Sequence, residues 1–253
     1  MTELDSKLNN NYVKGYYDNQ VKKMGDSYTD SRWHTTPIQE FEYNQTSRAL
    51  DRALGNTKYG KVIEVGPGDG VWTKKIIEHT EERIHLVEQS VEMLDRAKRK
   101  LFGVSNITFE RSDFMESNPP KGNDLVIAIR CFEYFSDKDS SVKKMFDLLS
   151  PGGKLVIVTK NSKLLTSVSV QGKKVHSDQL SRIEMRNLLL NNGFEYDSIY
   201  SAVFRWKIRY GIMRFVFDVL HRVSVWSKGI FAIPFLTTYA TESFVYVVTK
   251  PKS

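Results

Sequence analysis

The sequence predicts an α/β fold built on a doubly wound, mostly parallel sheet with helices on both faces. Three observations carry this. Short apolar runs alternate with helix-like segments from about residue 58 to residue 160, and strands this uniformly apolar must be covered on both faces. The first of these runs, Val62-Ile63-Glu64-Val65, leads straight into Gly66-Pro67-Gly68-Asp69-Gly70, three glycines spaced two apart, where a chain can turn sharply and lie close to a ligand. Finally, 253 residues with 40% hydrophobic content suffice for one α/β domain with elaborations.

Taken in order, residues 1–57 form an aromatic arm with Tyr12, Tyr16, Tyr17, Tyr28, Trp33, His34, Phe41 and Tyr43. Within it, Pro37 starts a helix that runs through Phe41, Leu50 and Leu54 to a stop at Gly55. The first strand then enters the glycine turn, and the helix-like run Trp72–Ile77 directs its first backbone N–H groups into that turn. A dinucleotide-binding turn would need its third glycine at Val71, but here it falls at Gly70. Arg83–Val87 is a second strand ending at Glu88, where a carboxylate can accept from both hydroxyls of a ribose. Ser90 caps a helix marked by Val91, Leu94, Ala97 and Leu101. Ile107–Arg111 alternates as a third strand and leads to Ser112-Asp113-Phe114.

The turn Pro119–Asn123 precedes the fourth strand, Asp124–Ile129, which ends at Arg130-Cys131-Phe132-Glu133-Tyr134-Phe135. A helix with Val142, Met145, Phe146, Leu148 and Leu149 follows, broken by Ser150-Pro151-Gly152-Gly153, and Lys154–Thr159 is the fifth strand. A helix marked by Leu180, Ile183, Leu188 and Leu189 closes at Asn191-Asn192-Gly193-Phe194. Tyr196–Phe204 and Phe244–Thr249 are the sixth and seventh strands.

The acid-x-G-x-G-x-G pattern from Glu64 to Gly70, Glu88 eighteen residues further on, Asp113 after the third strand and Leu149-Ser150-Pro151-Gly152-Gly153 before the fifth together resemble the class I S-adenosylmethionine-dependent methyltransferases. The resemblance is specific over residues 58–160 and weaker beyond. It implies a seven-stranded sheet whose last strand is antiparallel, an N-terminal helical arm acting as a lid, and S-adenosylmethionine as cofactor. It further implies that Glu64 accepts from the ligand's amino group and that Gly66, Gly68 and Gly70 lie against its sugar and amino-acid portions. Glu88, with Gln89 beside it, would hold the ribose, Asp113 the adenine amine and Phe114 the ring face, and Arg130 completes the set. No metal is expected. One domain is expected over 1–253, comprising the arm, a core at 58–160 and a C-terminal part at 161–253.

A single cysteine excludes a disulfide framework, and the N-terminus has no apolar run, so a cytoplasmic protein without a signal peptide is expected. The net charge of +7 is uneven: residues 1–153 carry 22 basic and 24 acidic side chains, whereas residues 154–253 carry 15 and 6. Between the last two strands, residues 205–243 form an insertion too apolar for disorder. It lacks the uninterrupted apolar run of about eighteen residues that a spanning helix needs. Arg214, Asp218 and Arg222 share one helix face, with Ile212, Phe215, Val216, Val219 and Leu220 on the rest. Three readings stay open for it: a lid over an apolar substrate, a lid that also lies on the inner face of a membrane, and a nucleic-acid surface.

Methyl transfer is an in-line displacement, and only a weakly acidic acceptor needs a base. Candidate bases are His176, His34 and Glu133, with His176 or His34 deprotonating a hydroxyl. Asn118-Pro119-Pro120 precedes the fourth strand instead of following it, so the nitrogen-methylating motif is absent, and Cys131, with no companion cysteine, is expected to be structural. The expected activity is methylation, on oxygen, of a small-molecule or lipid-linked acceptor by a monomer or weak homodimer. An RNA methyltransferase and a non-catalytic cofactor-binding module are the alternatives.

Overall fold

The computed structural model describes residues 15–16, 18–163, 179–204, 211–229 and 239–252. Among them, seven strands make one sheet: β1 (Tyr59–Val65), β2 (Thr80–Glu88), β3 (Ile107–Arg111), β4 (Asn123–Ile129), β5 (Leu149–Lys160), β6 (Glu195–Phe204) and β7 (Thr241–Thr249). Their order is β3-β2-β1-β4-β5-β7-β6. The pairs β1–β2, β1–β4, β2–β3 and β4–β5 are parallel, and β7 runs antiparallel to both β5 and β6. This is the expected sheet, with its last strand reversed. The chain moves outward from β1 to β3 and then returns to place β4 on the other side of β1. The carboxyl ends of β1 and β4 therefore flank the switch point where ligands bind in such sheets.

The strands read as continuous apolar runs because consecutive residues enter different cores. Val62, Ile84, Leu86, Leu125, Ile127, Val156, Val245 and Val247 pack on one face with Ala49, Leu50, Ala53 and Leu54 of α2 (Pro37–Leu54) and with Ile76 of α3 (Thr73–Ile77). Ile63, Val65, Val126, Ala128, Leu155, Ile157, Phe244, Tyr246 and Val248 pack on the other with Val142, Met145 and Leu148 of α5 (Lys138–Leu148) and with Met185 and Leu189 of α6 (Arg182–Asn191). Preceding α2 is α1 (Tyr28–Trp33), and α4 (Val91–Lys100) joins β2 to β3. The insertion carries α7 (Gly211–Trp226).

Helix starts follow their sequence signals. Thr36 and Gln39 form a reciprocal capping box ahead of Pro37, Ser90 accepts from Met93 N at 3.2 Å, and Ser181 with Glu184 caps α6. One apolar assignment differs from expectation. Ile183 is exposed, because α6 turns Met185 and Leu189 to the sheet. Among the described side chains of α7, Phe217, His221, Ser224 and Val225 are buried, whereas Phe215, Val216 and Val219 face outward. Leu149–Gly153 also forms part of β5, where a register shift opposite Asn123 absorbs the glycines. No helix among the described residues is long and apolar enough to cross a membrane.

Candidate functional site

The turn after β1 is built from three left-handed glycines, Gly66 (φ 63°), Gly68 (φ 58°) and Gly70 (φ 78°). Gly66 N donates to Val87 O at 2.9 Å, tying the turn to the end of β2. A Cβ on Gly66 would lie 2.6 Å from Cys131 Cβ, so this glycine lets the turn close on the loop after β4. A Cβ on Gly68 would meet nothing within 4 Å, so the turn there borders open space that a ligand can enter. Gly70 packs instead on Leu101 and Ala97 of the α4 segment.

Two buried carboxyls flank this turn. Glu88 Oε2 accepts from Gly68 N at 3.0 Å and Oε1 from Ser90 N at 2.8 Å, which orients the group and leaves a lone pair on each oxygen. Burial raises its pKa, three backbone N–H groups oppose the rise, and the nearby Asp18 charge adds to it. Glu64 is buried at the end of β1, and its Oε2 has no hydrogen-bond partner. Desolvation pushes its pKa up to about 8; the Thr73 hydroxyl beside it partly offsets this, and the Glu88 charge adds a little. An orphaned carboxyl oxygen beside an open glycine turn fits a ligand bearing an ammonium, which supplies the missing donor and charge. The residues present therefore fit the cofactor that the resemblance implies. Asp113 Oδ1 accepts from Met115 N at 2.8 Å after β3, Phe114 is buried against Phe135, and Gln89 is half-buried beside Glu88.

The arm is fastened to this region by contacts that the sequence does not announce. Asp18 accepts from the Ser90 hydroxyl, and Thr29 donates to Asp69 within the glycine turn. Lys100 reaches Asp69 at 2.7 Å and Thr29 at 2.8 Å, while Arg96 donates to Gly25 O. Of these residues only Asp69, in the glycine turn, and Ser90, as a helix cap, lie in a recognisable motif. Trp33 is buried edge-on to Trp72 (centroids 5.4 Å apart), and Tyr43 stacks on Trp72 at 4.9 Å. Tyr12 and Tyr17 lie outside the described residues, and Tyr16 is exposed.

Arg130, left-handed at φ 59°, begins the loop after β4, and its guanidinium is engaged in an ion cluster. It grips Glu242 of β7 with two bonds of 3.0 and 3.1 Å and reaches Glu133 Oε1 at 3.3 Å. Thr159 donates to the other Glu133 oxygen at 3.3 Å. Lys160, at the end of β5, has its pKa lowered to about 8 by burial and by the charge of Arg130. Among the proposed bases, Glu133 is thus buried and engaged within this cluster. His34 is exposed, with its ring edge on Tyr43 at 4.9 Å, and His176 lies outside the described residues. Glu242 and Lys160 had no motif to mark them, since each is a single charge at a strand end. Burial drives the Cys131 thiol up in pKa, and Sγ lies 3.0 Å from Val65 O, which suits a packed residue. Among the described residues, no cluster of His, Cys, Asp and Glu could hold a metal ion.

Residues 62–153 match the family model described as a methyltransferase domain. The chain is 31% identical over 110 residues to a malonyl-[acyl-carrier protein] O-methyltransferase of Ilyobacter polytropus, covering 43% of this chain and 41% of that protein. It is 26% identical over 219 residues to a trans-aconitate 2-methyltransferase of Rhodopseudomonas palustris, covering 81% and 82%. The chain therefore spans under half the length of the first relative and most of the second. In fold it is similar to the N-methyltransferase NodS of Bradyrhizobium japonicum solved with S-adenosyl-l-homocysteine, with a TM-score of 0.64 at 14% identity, covering 93% and 98% of the two chains.

Proposed function

Since the chain belongs to the class I S-adenosylmethionine-dependent methyltransferases, we propose that it methylates a carboxylate oxygen of a small organic acid. The observation that carries this reading is the state of Glu133. It is the one candidate base at the end of β4, and it is buried and held by Arg130 and Thr159. A carboxylate is already ionised at neutral pH, so it needs no deprotonation, and alignment with exclusion of water supplies the catalysis. The two curated relatives act, by their names, on trans-aconitate and on a malonyl group, both acids.

Bound S-adenosylmethionine supplies a methyl group on a sulfonium. In this reading Glu64 accepts from its ammonium, Glu88 from its ribose hydroxyls and Asp113 from its adenine amine, with Phe114 against the ring. Arg130 keeps the loop after β4 joined to β7 and so fixes the floor on which the acceptor lies. The Lys160 ammonium lies within reach of this cluster, where burial and Arg130 lower its pKa to about 8 against the opposing pull of Glu133 and Glu242. The arm, fastened to α4 and to Asp69, covers the donor side and excludes water.

Methyl transfer from labelled S-adenosylmethionine to a panel of di- and tricarboxylic acids, acyl thioesters, phenols, amines and RNA tests this. The expected product is an ester that releases methanol in mild alkali. Alkali-stable methylation of an amine or a phenol, or transfer to RNA with no acid methylated, would overturn it. An acid carried on a lipid would give the same labile ester and would be told apart by its partition into organic solvent.

A further inference from the structure

We propose that the outward face of α7 docks on an anionic lipid bilayer, lying in the interface without crossing it. The inward face already holds the helix to the body. Phe217 is buried, His221 Nε2 lies 3.0 Å from Ala202 O, and Arg48 Nη1 lies 3.0 Å from His221 Nδ1 and 2.9 Å from Asp218 Oδ1. Arg52 adds a bond of 3.0 Å to Trp226 O. None of these contacts involves the outward apolar side chains.

Those side chains form a stripe. Phe215, Val219 and Val223 stand four apart and Trp226 three further, with Val216 alongside; Phe215 is 70% and Trp226 71% exposed. At a rise of about 1.5 Å per residue the stripe is about 16 Å long. Single exposed apolar residues are ordinary, but a continuous row along a helix that is already anchored marks an interaction surface.

Charge selects the occupant. Among the described residues on or beside this helix, the basic Arg48, Arg52, Arg222 and Lys228 stand against two acids, Asp218, which is paired to Arg48 and to Arg222, and Asp197, which is paired to Lys228. The exposed Arg52, Arg222 and Lys228 belong to or adjoin this helix. A second copy presenting the same positive segment would be repelled, whereas an anionic headgroup layer would attract it. A tryptophan at the end of such a stripe suits the headgroup level. The proposal holds whichever acceptor the enzyme uses.

Flotation of the full chain with vesicles of phosphatidylcholine, with and without about one third phosphatidylglycerol, tests it. The wild type should float with the anionic vesicles at low salt, much less with neutral ones, and the F215S/W226S variant should partition about tenfold less while still binding S-adenosylhomocysteine. V219S/V223S offers the same test should the first variant fail to fold. Absence of flotation at low salt, or flotation undiminished in folded variants, would overturn the proposal. So would a dimer in sedimentation equilibrium that these substitutions dissociate, because the face would then belong to a second copy.

Discussion

Replacing Glu64 by glutamine separates a ligand-binding role from a structural one, because the two predict opposite effects. The carboxyl is fully buried, its Oε2 lacks a partner, and desolvation holds its pKa near 8 instead of 4.5. The ligand-free protein therefore keeps this group protonated at pH 7, and accepting an ammonium requires the proton to leave. Ionising a group of pKa about 8 at pH 7 costs about 1.4 kcal/mol, or a factor of about ten in affinity. Binding of S-adenosylhomocysteine should accordingly tighten about tenfold from pH 6 to pH 7 and release about nine-tenths of a proton at pH 7. It should level off near pH 8, where the ligand's own amino group begins to lose its proton. In Glu64→Gln the pH dependence and the proton release should vanish, and the dissociation constant should rise about 10- to 100-fold, the worth of a hydrogen bond to a charged group.

Stability should move the other way. A carboxyl whose pKa is raised by folding contributes stability that is fully present below about 4.5 and is lost as pH rises through about 8. Glutamine removes that loss, so the ligand-free variant should melt no lower than the wild type at pH 8.5. Calorimetry in two buffers of different ionisation enthalpy, with thermal melts alongside, reads all of this. Tight binding by Glu64→Gln, or wild-type binding with neither pH dependence nor proton release, would refute the reasoning.

Gly66→Ala should destabilise by about 2–4 kcal/mol, because it combines a left-handed φ with a Cβ 2.6 Å from Cys131 Cβ. Gly68→Ala, with open space around it, should cost only about 1–2 kcal/mol of backbone strain yet weaken ligand binding; urea melts and calorimetry compare the two. Arg130→Met removes the guanidinium that pairs with the buried Glu242 and Glu133, leaving Lys160 as the nearby cation, and should cost about 3–5 kcal/mol by urea unfolding. His221 is buried with its pKa lowered to about 4 by desolvation and by Arg48, so folding favours its neutral form. Its contribution is full above about 6.5 and is lost as pH falls towards 4, about 3 kcal/mol in all. His221→Gln should flatten that acid limb in unfolding experiments between pH 7 and 4.5, and an unchanged limb would contradict the assignment.

The sheet and its order of elements were legible because each strand is an apolar run bounded by turn residues, and because Gly66, Gly68 and Gly70 each answer a geometric need that glycine meets best. The acids Glu64 and Glu88 were legible through their fixed distance from that turn. What stayed hidden depends on tertiary contact. The clasp of Asp18 on Ser90 and of Thr29 and Lys100 on Asp69 joins residues up to 72 positions apart, with only Asp69 and the helix-capping Ser90 in a motif. The same holds for Arg130: its place after β4 is legible, but the pairing of its guanidinium with Glu242, 112 residues away, is one that no local pattern reveals. On α7 the apolar positions at 215, 216 and 219 were visible, but which side of the helix meets the body depends on Arg48 and Ala202.

A crystal structure of the chain with S-adenosylhomocysteine tests the central claim most directly. The account predicts the ligand's ammonium within about 3 Å of Glu64 Oε2 and its ribose hydroxyls on Glu88, with Gly68 against the ligand. A ligand seated elsewhere, or one that leaves Glu64 Oε2 buried without a partner, would contradict it.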